Sequence, residues 1–131
     1  MLLVSRLDAK DGRILYVLKV LKQHGLVRVR ESLIHKIFYY ITRDKLSVKF
    51  DFYDNVKFSY EIRERLEKLC ERGYIRRIFL VARLGGVYIP LYSITEKGLE
   101  YLERRERLSK KDARIIEEFI SKVAKKKSFR E

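Results

Sequence analysis

The sequence predicts an α+β fold, mainly α, with about five helices and a small antiparallel β-sheet that includes a hairpin. Three observations lead to this prediction. Apolar residues recur at helical spacing in five segments, two strand-like runs flank Gly85–Gly86, and no linker rich in Pro, Gly or Ser interrupts the chain. The 131 residues, 47% of them hydrophobic, are enough for one core and too few for two ordinary domains.

The first two helices are predicted by their apolar stripes. Residues 11–24 carry apolar side chains at helical spacing, and Gly25 follows where a left-handed cap would end the helix. Residues 31–43 show a broader apolar face and predict the second helix. Residues 48–53 then alternate between charged and apolar side chains, which predicts a strand with one wet face.

Three further helices are predicted in the second half of the chain. One spans residues 59–72 and begins with a serine that can cap it. Another follows Thr95 and runs to about Arg107. Ser109 and Asp112 resemble the capping box of a last, amphipathic helix.

Two strand-like runs, 75–84 and 87–94, predict the hairpin, because the glycines between them tolerate the positive φ angles of a two-residue turn. Such a turn fixes which residues share a face. The face expected to be core comprises Ile78, Leu80, Ala82, Leu84, Val87, Ile89 and Leu91. The opposite face mixes cations and aromatics: Arg77, Phe79, Val81, Arg83, Tyr88, Pro90 and Tyr92. Pro90 cannot donate to a ladder, so its strand is expected to lie at an edge or carry a bulge.

The charge balance indicates the class of partner. The chain has 31 Lys and Arg against 18 Asp and Glu, a formal net charge of +13. Such an excess favours a polyanion, because each neutralised phosphate releases counterions. Nucleic acid is the leading interpretation, and an anionic membrane surface is the lesser one.

Other classes are disfavoured by what the sequence lacks. No segment approaches the roughly 18 apolar residues of a membrane span, and no secretory signal is evident, so we expect a cytoplasmic protein that is not integral to a membrane. One Cys and two His are too few for a disulfide or a zinc site. Without a nucleophile–base set, a Walker loop or a dinucleotide fingerprint, we expect no enzyme, metal or cofactor. The scarcity of Asn and Gln is typical of a thermophile.

Two segments resemble a known family. Residues 66–75 look like the LxxLxxxGxI junction between recognition helix and wing in MarR-like and PadR-like regulators, and residues 92–102 resemble their Y-x-[IL]-T-x-x-G exit from the wing. The resemblance implies a winged helix-turn-helix fold, binding to double-stranded DNA and a role in transcription regulation. Residues 45–58 depart from this pattern, since a short turn is usual there. That long insert is similar to the winged-helix-like Panacea antitoxin domain.

The resemblance also implies an organisation of the chain. Residues 1–108 would form the winged-helix domain, and residues 109–131 a basic amphipathic helix that either pairs two subunits or packs on the domain. We expect a homodimer. Its interface is expected to include Ile115, Ile116, Phe119, Ile120 and Val123.

The helix over 59–72 and the hairpin are then the expected DNA contacts. On the helix the candidates are Ser59, Tyr60, Arg63, Arg65, Lys68 and Arg72, and on the hairpin Arg76, Arg77, Arg83 and Tyr88. Residues 59–73 carry four basic and four acidic side chains, whereas the hairpin carries no acidic one. This distribution favours a grip on phosphates over the reading of bases. Two alternatives stay open: a solvated face of ion pairs, and a protein-interaction module without specific DNA binding.

Overall fold

The structure is a computed structural model that describes residues 7–43, 46–53, 56–81, 85–104 and 109–125. Its elements in chain order are α1 (Ala9–Gln23), β1 (Val29–Arg30), α2 (Glu31–Arg43), α3 (Tyr60–Glu71), β2 (Ile75–Val81), β3 (Tyr88–Ile94), α4 (Glu96–Arg104) and α5 (Lys110–Lys125). The predicted α+β class, mainly α with a hairpin, is confirmed. No described helix is both long and apolar enough to cross a lipid bilayer.

The ends of the helices follow local hydrogen-bonding rules. Asp8 and Asp11 form a reciprocal capping box, in which each carboxylate accepts the other residue's backbone N–H, so α1 begins two residues earlier than predicted. Gly25 follows α1 with a φ of 96°, as predicted. Ser59 caps α3 by accepting the N–H three residues on, and Gly73 follows that helix with a φ of 83°.

The three strands form one antiparallel sheet in the order β1-β3-β2. β1 pairs Val29 with Tyr92 and Arg30 with Leu91. The sequence does not predict β1, because two residues are too few to show alternation. Pro90 lies on the central strand, so the predicted edge position of its strand is wrong, although pairing with β1 stops at Leu91.

The predicted register of the hairpin is wrong. Val81 pairs with Tyr88, so six residues rather than two join the strands, and Tyr88 does not lie opposite Arg83. Arg83 itself lies outside the described residues. Gly85 and Gly86 do have positive φ angles, 85° and 63°, but within this longer connection.

The predicted core face of the hairpin is also wrong. The buried residues are Ile75, Tyr92 and Ile94 on the other face, whereas Ile78 and Leu80 are 37% and 47% exposed. Both faces are rich in apolar residues. Alternation therefore shows which residues share a face but not which face the helices cover. Two further members of the predicted core face lie outside the described residues: Ala82 and Leu84.

The strand predicted over residues 48–53 is absent from the described part of that segment, which is irregular. Ser47 and Asp51 donate their backbone N–H groups to carboxylates on α5 and α3 instead of to a neighbouring strand. The alternation has another cause, because Phe50 enters the core and its ring lies 4.8 Å from that of Phe38.

Helix α5 packs on the chain's own core. Ile116 and Ile120 are fully buried there, which corrects the prediction that they form a subunit interface. Three other residues of the predicted interface, Ile115, Phe119 and Val123, are half-buried. Asp112 anchors the helix: its buried carboxylate lies 2.8 Å from a guanidinium nitrogen of Arg13 on α1. Ser109 accepts the Asp112 N–H, but that carboxylate turns to α1 and to Ser47, so only half of the predicted capping box forms.

Candidate nucleic-acid interface

The basic flank of α3 is occupied by ion pairs within the chain. Arg65 donates to Asp8 and Asp11 at 2.7 and 3.0 Å, and its side chain is only 18% exposed. Lys68 lies 2.6 Å from the buried carboxylate of Asp11. These two predicted DNA contacts instead hold α3 against the start of α1.

The contact between Arg65 and Asp8 lowers the pKa of the Asp8 carboxyl group. Burial alone would raise the pKa, but the hydrogen bond from Arg65 and the backbone bond from Asp11 outweigh it and lower the pKa to about 2. The carboxylate is therefore charged throughout the neutral range, and releasing Arg65 to a phosphate would remove an ion-pair partner both from Asp8 and from the buried Asp11.

Ser59 is likewise unavailable to a ligand, because it is 1% exposed and built into the start of α3. Its N–H donates to Nδ1 of His35 at 3.1 Å, so Nε2 carries the ring proton and donates to Glu31 at 2.9 Å. Arg63 also donates to Glu31 at 2.8 Å while its side chain stays 45% exposed. Burial opposes ionisation of Glu31, but these two partners hold its pKa below the ordinary value.

The outward face of α3 is acidic. Its exposed side chains are Tyr60, Arg63, Glu64, Glu67 and Glu71. The three glutamates are spaced by three and four residues and so form one stripe along the helix. The segment has no net charge, yet its outward face is negative because most of the cations of the segment face the rest of the protein.

The three strands carry arginines and no carboxylate. Arg30 and Arg76 are exposed on the same face of the sheet, on either side of β3. Arg77 lies on the opposite face, where it bonds to Tyr92 and its guanidinium lies 5.4 Å from the ring centre of Phe79. The hydrogen bond to Tyr92 raises the pKa of Arg77, so its charge is permanent.

Two other predicted contacts differ in accessibility. Arg72 is half-buried at the end of α3, where its carbonyl accepts a hydrogen bond from Lys97 at 2.7 Å. Tyr88 is 64% exposed and meets Phe79 edge-on at 6.2 Å.

The outer part of the hairpin is an exposed apolar surface, although its sequence pattern predicted that one face would be core. Of the ten exposed large hydrophobic side chains in the described chain, six belong to it. They are Ile78, Phe79, Leu80, Val81, Val87 and Tyr88.

A second surface was predicted only in part, since Tyr60 and Arg63 were expected contacts but the rings around them were not. Aromatic rings from α2, from residues 52–58 and from the first residue of α3 lie in contact, with cations over them. We call it the aromatic–basic cluster: Tyr39, Tyr40, Phe52, Tyr53, Phe58 and Tyr60, with Arg43, Lys57 and Arg63. The signal was present in the sequence as a density of Phe and Tyr in residues 50–60.

The residues that resemble the exit motif fix the hairpin to α4. Oγ1 of Thr95 lies 2.6 and 2.9 Å from the carbonyl oxygens of Gly73 and Tyr74, and it accepts the N–H of Gly98. Gly98 is buried so closely that a Cβ there would lie 2.5 Å from the Tyr74 oxygen. The motif therefore positions β2 and β3 relative to the helices.

Comparisons with protein-family models, curated proteins and solved structures found no match. Within the described ranges, no group of three or more His, Cys, Asp and Glu side chains is arranged to hold a metal ion. The candidate interface is therefore argued from its own geometry.

Proposed function

We propose that this protein is a winged-helix module that binds the phosphates of double-stranded DNA through its sheet. The observation that carries the proposal is the acid-free sheet, on which Arg30 and Arg76 are exposed on one face. Arg76 also lines an open groove with Lys22 and Lys97, and Glu96 is the carboxylate among the described residues that line it. This surface suits a polyanion.

The order of the elements supports the winged-helix part of the proposal. Helices α1, α2 and α3 precede the hairpin, and β1, between the first two helices, pairs with β3. That is the arrangement expected of a winged helix-turn-helix, in which the hairpin is the wing.

The same surface favours a grip on the backbone over the reading of bases. The acidic stripe of α3 would repel phosphates if the helix lay lengthwise in a groove. We propose regulation of transcription in the cytoplasm as the role, with backbone contacts dominating the affinity.

The test compares two pairs of exposed cations. Binding of a fluorescent duplex is measured by anisotropy between about 50 and 200 mM salt. In the Arg30→Gln/Arg76→Gln variant, affinity should fall and the log–log salt slope should shrink by about 1.8. The matched control, Lys110→Gln/Lys111→Gln on α5, removes the same charge and should change the slope less. Binding that ignores salt, or equal losses in both variants, would overturn the proposal.

The exposed apolar hairpin favours a second candidate, a protein-interaction module. Ile116 and Ile120 are buried within the chain, whereas Ile78 and Leu80 are exposed and can meet a partner. The Ile78→Ser/Leu80→Ser variant separates the two candidates. Loss of self-association in sedimentation with duplex affinity retained would assign the hairpin to protein contact.

A further inference from the structure

The aromatic–basic cluster has one half on α2. The Nζ of Lys57 lies 4.9 Å from the ring centre of Tyr40 and 5.9 Å from that of Tyr39. The guanidinium of Arg43 lies 5.6 Å from the Tyr39 ring as well. A hydrogen bond from Lys57 lowers the pKa of Tyr40, and the nearby charges of Lys36 and Arg43 add to that effect. Cations thus surround two half-exposed tyrosine rings.

The other half lies at the start of α3. The rings of Tyr53 and Phe58 are 9° from parallel with their centres 6.5 Å apart. Tyr60 meets both rings edge-on, at 5.7 and 5.0 Å, and Arg63 lies 4.7 Å over Phe58. Phe52 and Lys57 of the first half precede Tyr53 and Phe58 directly in the chain, so the backbone of these residues joins the two halves.

Phe52 packs against the core and Phe58 stacks on buried His35, but the core does not account for Tyr53 and Tyr60. Phe38 and Phe50 fill the core nearby and are 0% and 5% exposed, whereas Tyr53 and Tyr60 are each 55% exposed. Large aromatic faces left in water beside cations are the composition of a stacking platform.

The charges near the cluster favour an anion. Lys36, Arg43 and Lys57 are exposed, while Glu31 beneath Arg63 is buried and engaged with two partners. Two exposed carboxylates lie nearby in the described part of the chain: Asp51, whose backbone N–H donates to Glu61 on α3, and Glu64, one turn after Tyr60. The four exposed cations that the structure describes in this region, Lys36, Arg43, Lys57 and Arg63, outnumber them.

These observations favour a single-stranded ligand over a duplex. Bases in a duplex are stacked on one another and cannot offer their faces to a tyrosine, whereas unpaired bases can. We propose that the aromatic–basic cluster binds single-stranded nucleic acid, with bases stacked on Tyr53 and Tyr60 and phosphates paired with Arg43 and Lys57. This shares with the proposed function only the class of ligand, because the sheet surface is separate.

Tyrosine emission gives a direct measure of stacking, because the chain has nine Tyr and no Trp. Oligo(dT) and oligo(U) of about 15 nucleotides are titrated onto the full chain, and emission and anisotropy are followed together. We expect quenching with binding. Comparing the two oligonucleotides identifies DNA or RNA as the preferred source of the strand.

The decisive variant is Tyr53→Ala/Tyr60→Ala, at two exposed positions that should leave the fold intact, as a urea midpoint checks. Its affinity for the oligonucleotide should fall about tenfold or more for each stacked base lost. Tyr53→Phe/Tyr60→Phe keeps the rings and should bind as the parent does. Lys57→Gln should reduce the salt slope by about 0.7.

Measuring the affinity of the same variants for a DNA duplex distinguishes the two proposals. The tyrosine variant should bind duplex normally, and the Arg30→Gln/Arg76→Gln variant should bind the single strand normally. A folded tyrosine variant with parental affinity for both oligonucleotides would overturn the cluster assignment and leave the sheet proposal standing. Equal losses on duplex and single strand would overturn the preference for unpaired bases.

Discussion

Gly98 shows how a single residue links sequence motif and fold. It occupies the position where α4 crosses the end of the hairpin, and a Cβ there would lie 2.5 Å from the carbonyl oxygen of Tyr74 and 2.7 Å from Cγ1 of Ile94. The glycine of the T-x-x-G motif is therefore required for close approach and not for an unusual φ.

Replacing Gly98 with Ala should destabilise the protein. The added methyl group meets backbone, which cannot rotate away, and the expected loss is about 1 to 3 kcal/mol in the free energy of unfolding. Urea denaturation measures it. The matched control is Gly12→Ala in the first turn of α1, where a Cβ would have no neighbouring atom within 4 Å. That change should stabilise by about 0.5 to 1 kcal/mol, because alanine loses less backbone entropy. Equal effects at both sites would contradict the close-approach argument.

The sequence could predict local features such as helix caps, but not contacts between residues far apart in the chain. Ser59 and Gly73 follow short-range rules, and both are found where expected. Arg65 and Lys68 meet Asp11 from 54 and 57 residues away, so no local pattern distinguishes them from free surface cations. Arg65 and Lys68, both predicted to contact DNA, are engaged in this long-range pairing instead.

The acidic stripe on α3 leads to a prediction about duplex affinity. Replacing Glu64, Glu67 and Glu71 with Gln removes three like charges that face a docked polyanion, and duplex affinity should rise about tenfold at low salt. Titrations by anisotropy test it. The control variant changes Glu100, Glu103 and Glu118, which are exposed on α4 and α5. It alters the net charge equally and should raise affinity less. A fall in affinity of the α3 variant would mean that its glutamates contact the ligand favourably.

Elements with one apolar stripe were predicted well, and those with ambiguous patterns were not. The bounds of α2 agree with the prediction, because its apolar face is broad and continuous. Residues 48–53 alternate as a strand would, yet side-chain carboxylates satisfy part of their backbone. The aromatic–basic cluster was predicted only in part, because it joins segments that fold back on one another.

Four of the described carboxyl groups ionise more readily in the folded protein than in the unfolded chain, and this stabilises the fold. The pKa values of Asp8, Glu31, Glu61 and Asp112 all lie below their ordinary values. A lowered pKa contributes stability above the unfolded pKa, and that stability is lost as the pH falls through the folded pKa. The protein should therefore be stable at neutral pH and weaken from about pH 4.5 down towards pH 2.

Urea midpoints at neutral and acid pH measure this loss. Asp112→Asn should lower stability at neutral pH by about 3 kcal/mol, because it leaves Arg13 buried without a counter-charge. The same variant should depend less on pH than the parent. An unchanged pH dependence would show that the ion pair of α1 with α5 does not contribute.

The burial of α5 also bears on how the chain folds as it is synthesised. Asp112 lies 99 residues after its partner Arg13. At the usual rates of translation, α1 would wait roughly 5 to 20 s for the helix that covers it. Until then the part of α1 that packs on α5, and the Arg13 charge, face water or a chaperone. Completion of the fold is thus tied to the release of α5 from the ribosome.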